Sequence, residues 1–130
     1  MKISIIGASA GVGLESLKRA LQRNHKVTTL SRTDIAYPSD EKWTQIKGSA
    51  LNKDDLRKAI DGAEAVIVTL GTGKSTKPTT LFTGFSGVLL ELQKDTELQM
   101  PFIILTGFGA GESIKYSGLT ARLFMKLVLR

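Results

Sequence analysis

Three early glycines, Gly7, Gly11 and Gly13, stand where a backbone can hold an anion. They belong to the run Gly7-Ala8-Ser9-Ala10-Gly11-Val12-Gly13, spaced Gly-x-x-x-Gly-x-Gly. Small residues let main-chain N–H groups come close to a phosphate, and a helix starting here adds its first unpaired N–H groups and the positive end of its dipole. Such a site needs a strand before the turn and a helix after it. Both are legible: the apolar run 2–6 precedes the glycines, and Val12, Leu14, Leu17, Ala20 and Leu21 share one face of a helix over residues 11–24. The alternative is a structural βα turn that uses glycine only to reach positive φ.

A second group stands at the end of the β-branched run 26–30, at Ser31-Arg32. In a dinucleotide fold this strand end meets the adenosine ribose. An acidic residue there bonds the 2′-OH and selects NAD(H), whereas an arginine accommodates the 2′-phosphate of NADP(H). Arginine suits phosphate because its planar fork makes two charge-assisted hydrogen bonds. Asp34 argues the other way, and the balance favours NADP(H) over NAD(H). Two further strand ends supply candidates: Leu70, Gly71 and Thr72 after the apolar run 65–70, and Thr106 after the strand 102–105. The loop 48–51 is placed to pass the adenine ring. Absent cysteine and a single loop histidine, His25, leave no thiolate chemistry and no metal-ligand set.

These residues need a sheet rim to bring them together, and the chain supplies one. Strands are expected over 2–6, 26–30, 43–46, 65–70 and 102–105, the fourth central because it is most apolar. Helices are expected over 11–24, from Asn52 or Lys53 to Ile60 with Asp61-Gly62 closing it, over 79–95, and as a stripe of Leu119, Leu123, Phe124, Leu127 and Val128. Alternation of this kind specifies an α/β, Rossmann-type doubly wound parallel sheet of about five strands with helices on both faces. The 130 residues are read as one domain, 42% hydrophobic and 23% charged. No run is long enough for a membrane span or a signal h-region, and cytoplasmic residence is expected. Eighteen Lys and Arg against twelve Asp and Glu give a charge of +6. The cations are scattered, without the clustering a nucleic-acid face shows.

The stretches Gly7 to Gly13, Val27-Thr28-Thr29-Leu30-Ser31-Arg32, Ala65-Val66-Ile67-Val68-Thr69-Leu70-Gly71-Thr72 and Lys77-Pro78-Thr79-Thr80 together resemble the atypical short-chain dehydrogenase/reductase group. Within it they look like the biliverdin reductase B / flavin reductase and NmrA-like NAD(P)H-binding proteins, over residues 1–111. The resemblance implies a diphosphate over Ser9, Ala10, Gly11, Val12 and Gly13, a 2′-phosphate at Arg32 with Ser31, and a cofactor lying along Leu70-Gly71-Thr72 and near Thr106. It implies an NADPH-dependent, flavin reductase-like oxidoreductase that passes hydride to a small conjugated acceptor. The alternative is a non-catalytic NADP(H)-binding redox sensor of NmrA-like type. Thr106-Gly107 replaces that group's Thr-Ser, and Tyr116 is followed at Tyr-x-x-x-Lys spacing by Thr120. The group's further C-terminal substrate segments are also expected to be absent. The apolar stripe after Leu119 is then expected to be an association surface, with a homodimer through the C-terminal helix.

Overall fold

Each β-branched run becomes a strand of one parallel sheet in the computed structural model of the protein, which describes residues 1–72, 79–105 and 118. The strands are β1 (Lys2–Ile6), β2 (Lys26–Ser31), β3 (Trp43–Lys47), β4 (Ala65–Val68) and β5 (Phe102–Ile104). The helices are α1 (Gly11–Gln22), α2 (Lys53–Ile60) and α3 (Leu81–Asp95). Strand order is β3-β2-β1-β4-β5, with every neighbouring pair parallel. The centre is therefore β1 rather than β4, although β4 is an interior strand. The order reverses beside β1, where open α/β sheets bind ligands.

Alternation along the strands builds two cores. Ile5 and Val27 face α1 and pack with Leu17, Ala20 and Leu21. Ile6, Leu30, Val66 and Val68 face the other way, onto Leu56, Ala59 and Ile60 of α2 and Phe85 and Leu92 of α3. Helix α1 stops two residues before the expected end, and Asn24 then takes φ 61° to turn the chain back into β2. No helix joins β2 to β3. Instead, buried Ile35 and the partly buried Tyr37 of the connection cover the α1 side of the sheet. Tyr37 meets Trp43 edge-on at 5.9 Å, and the Trp43 indole N–H donates to the Thr29 hydroxyl at 3.0 Å.

Asn52 caps α2 by accepting the Asp55 backbone N–H at 3.0 Å, and Asp54 and Asp55 complement the helix dipole. An ion cluster joins α2 to α3: Lys53 Nζ lies 2.7 Å from the Asp95 carboxylate, which Arg57 also approaches at 3.5 Å. The Lys53 ammonium holds the Asp95 carboxyl below its ordinary pKa. Among the described residues, no helix is long and apolar enough to cross a membrane. The expected helical stripe after Leu119, together with Thr106 and Tyr116, lies outside the described residues.

Candidate functional site

The turn after β1 is shaped from below. Gly7 has φ 94°, and its N–H donates to the Leu30 carbonyl at 2.9 Å. A Cβ on Gly7 would sit 3.0 Å from the Thr69 carbonyl oxygen. A Cβ on Gly13 would press on the Gly7 carbonyl and lie 2.5 Å from Thr69 Oγ1. Only glycine at both positions lets α1 start this close to β1 and β4. Thr69, the first residue after β4, holds the turn: its hydroxyl reaches the Gly7 carbonyl at 3.0 Å and the Ile6 carbonyl at 3.2 Å.

The start of α1 differs from that of α2. Its N-cap is Ala10, extended at φ −159° and ψ 173°, with no side-chain cap and no acidic residue in the first turn. The first N–H groups of a helix have no intrahelical acceptor. Here they are left to whatever occupies the space above the turn. Val12 is 55% exposed, although its spacing suggests a place on the packed face. The difference arises because the first turn rises past the sheet rim into open space, where Val12 lines a cleft.

That cleft has a volume of about 680 Å³, within the usual range for a small-molecule site. Gly7, Ser9, Ala10, Gly11 and Val12 form its floor. The β2 end (Leu30, Ser31, Arg32, Thr33) and the loop 48–51 form one wall. Thr69, Leu70, Gly71 and Leu105 form the other, and Leu81 at the start of α3 completes the lining. Among the expected site residues, Gly13 packs beneath the turn, Thr72 is not part of the lining, and Thr106 is outside the described residues. The wall at 48–51 is fixed by Asp55, whose carboxylate accepts the Ser49 N–H at 3.0 Å.

Arg32 lies on the cleft, exposed, and makes no ion pair among the described residues. Asp34 does not line it. Its carboxylate is paired with Lys47 Nζ at 3.0 Å. Ser31 is buried, and its hydroxyl donates to the Thr33 carbonyl at 2.8 Å while accepting from Gln45 Nε2 at 3.2 Å. Ser31 thus holds the loop as well as lining the cleft. Sequence reasoning missed Thr69, Gln45 and Lys47. Only Thr69 carries a local signal, a hydroxyl placed directly before the Leu-Gly at a strand end.

Comparisons with known proteins give the family and agree with the fold. A family model described as NAD(P)H-binding matches residues 7–128. Among solved structures, the oxidoreductase ylbE from Lactococcus lactis superposes with a TM-score of 0.71 and 20% identity, over 97% of this chain and 57% of that one. A Rossmann-fold NAD(P)-binding family protein from Shigella flexneri gives 0.64 and 21%, over 88% of this chain and 55% of that one. A short chain dehydrogenase from Leptospira borgpetersenii, with bound NAD+, gives 0.65 and 12%, over 92% and 55% respectively. At these identities the likeness is one of fold. This chain spans 57% of the length of the Lactococcus protein and 55% of the other two.

Proposed function

This chain belongs to the NAD(P)H-binding family, and we propose that it is an NADPH-dependent oxidoreductase of flavin reductase-like type that passes hydride to a small conjugated acceptor. The observation that carries the NADP(H) side is the contrast at the β2 end. Arg32 is on the cleft without an ion-pair partner among the described residues, while Asp34 is paired with Lys47 outside the lining. A guanidinium so placed is a bidentate partner for a 2′-phosphate.

The residues fit the group. The uncapped N-terminus of α1, with Ser9, Ala10 and Gly11 at its mouth, presents N–H donors to a diphosphate. Leu51, Leu81 and Ala50 offer apolar surface for an adenine ring, and Leu70 and Gly71 continue the wall along β4. The nicotinamide, when bound, supplies the hydride, so the protein's task is to orient it and exclude water.

A second reading has one observation behind it. Among the described residues lining the cleft, Arg32 is the only ionisable side chain. A site without acid–base groups also suits a redox sensor that binds NADP(H) without turnover. The test is loss of NADPH absorbance on adding FMN, riboflavin or a quinone to the protein. Acceptor-dependent oxidation is the expected result. Tight NADPH binding without oxidation across the panel, together with a recoverable protein partner, would favour the sensor instead.

A further inference from the structure

The β2–β3 connection is tethered by alternate residues of β3. Gln45 and Lys47 lie on one face of that strand, and Lys47 is in register with Ser31 at the end of β2. The Gln45 carboxamide donates to the Ser31 hydroxyl at 3.2 Å and to the Thr33 carbonyl at 3.1 Å, and accepts the Ile35 N–H at 3.4 Å. Residues 31, 33 and 35 are thereby fixed to the sheet edge, with the Ile35 side chain buried. Within this frame Arg32 reaches the cleft, while Asp34, two residues on, is paired with Lys47 at 3.0 Å. The pair is open to solvent, 60% exposed on the lysine and 81% on the aspartate, so it contributes little to folding. Its effect falls on the charge near Arg32.

We propose that Lys47 is a specificity-determining positioning residue: by holding and neutralising Asp34, it keeps a carboxylate away from the ribose 2′ position and leaves Arg32 to set the preference for a 2′-phosphorylated nucleotide. This rests on the reading of the cleft as a nucleotide site. Asp34 is two residues from Arg32 in the same tethered connection, so an unpaired carboxylate there would add negative charge near the guanidinium and disfavour a 2′-phosphate, and releasing it moves the balance toward NADH.

The experiment titrates NADPH and NADH into the whole chain and follows the ratio Kd(NADH)/Kd(NADPH). Lys47→Met is expected to lower the ratio up to about fivefold, the factor to which an exposed ion pair of about 1 kcal/mol converts. Asp34→Asn should leave the ratio unchanged or raise it. The double variant should match Asp34→Asn alone, and the thermal midpoint of Lys47→Met should stay at the wild-type value. A merely structural lysine would weaken both nucleotides equally, and an unmoved ratio overturns the proposal. An equal fall in the Asp34→Asn background overturns it too, because Lys47 would then act on the phosphate directly. If the wild-type chain binds neither nucleotide, the cleft reading fails and the proposal fails with it. Binding of both with an unmoved ratio removes the role of Lys47 alone.

Discussion

The Thr69 hydroxyl donates to the Gly7 carbonyl at 3.0 Å, across 62 residues of chain. One side chain from the end of β4 thus fixes the carbonyl that opens the glycine turn after β1. Thr69→Val keeps the β-branched shape and deletes the donor. A stability loss of about 1 kcal/mol is expected, the usual worth of one hydrogen bond. NADPH and NADH affinities should fall together, because in the proposed site the turn would hold the diphosphate that both share. Thermal denaturation and nucleotide titration check this, and Thr69→Ser should recover both.

Ala10 at the N-cap of α1 gives a sharper test of the anion site. Its extended backbone is the conformation an N-cap side chain uses, yet alanine caps nothing. Ala10→Asp should stabilise the helix by about 0.5–2 kcal/mol through the cap and the dipole. The same carboxylate would occupy the N–H groups and repel a diphosphate. The expected signature is a raised thermal midpoint with weaker NADPH binding. A raised midpoint with unchanged binding would place the nucleotide elsewhere.

Arg32→Ala should weaken NADPH far more than NADH. Hydrogen bonds to a charged group contribute about 1.5–3 kcal/mol, or roughly ten- to a hundredfold in Kd. Equal losses for the two nucleotides would remove the 2′-phosphate role.

Two glycine substitutions should act in opposite directions. Gly13→Ala would bring a Cβ to 2.5 Å from Thr69 Oγ1 and onto the Gly7 carbonyl, costing about 1–3 kcal/mol as the turn shifts. Gly87, exposed in the middle of α3, has no atom of the described residues within 4 Å of where a methyl group would stand. Gly87→Ala should therefore stabilise by about 0.5–1 kcal/mol through helix propensity. Midpoints measured side by side decide both.

The Asp95–Lys53 contact carries a pH signature. The Asp95 pKa is lowered in the folded protein by its hydrogen bond with Lys53. A depressed carboxylate adds stability that is fully present above the unfolded value of about 3.9 and is lost as pH falls through the folded value. Comparison with Asp95→Asn should show a stability difference at neutral pH that disappears on the acid side of the ordinary aspartate range. It should also shrink in high salt, since the pair is exposed.

Much of the frame could be read from the chain because its signals are local. β1 and α2 fall where β-branched runs and the Asn52 cap put them, and α3 ends at Asp95 as expected. The three glycines are legible because an apolar strand precedes them and an amphipathic helix follows, both local features. Val12 misled because helical periodicity says which residues share a face, not where along the helix the protein stops covering it. The central position of β1 was missed because apolarity marks an interior strand without ranking it. Gln45 and Lys47 carried no signal, since their partners at Thr33 and Asp34 depend on the register of β2 against β3. Thr69 shows a hydroxyl at a strand end, but its acceptors, the Ile6 and Gly7 carbonyls, lie at the end of β1 and in the turn after it, which only the sheet order brings close.

The position of β1 also orders events on the ribosome. The glycine turn is made well before β4, but β1 pairs on both sides, with β2 from Lys26 and with β4 from Ala65. A nascent β1-α1-β2 unit has the turn without its Thr69 latch. The contact that holds the turn from below therefore forms only once the end of β4 has joined the sheet, long after the glycines themselves are in place.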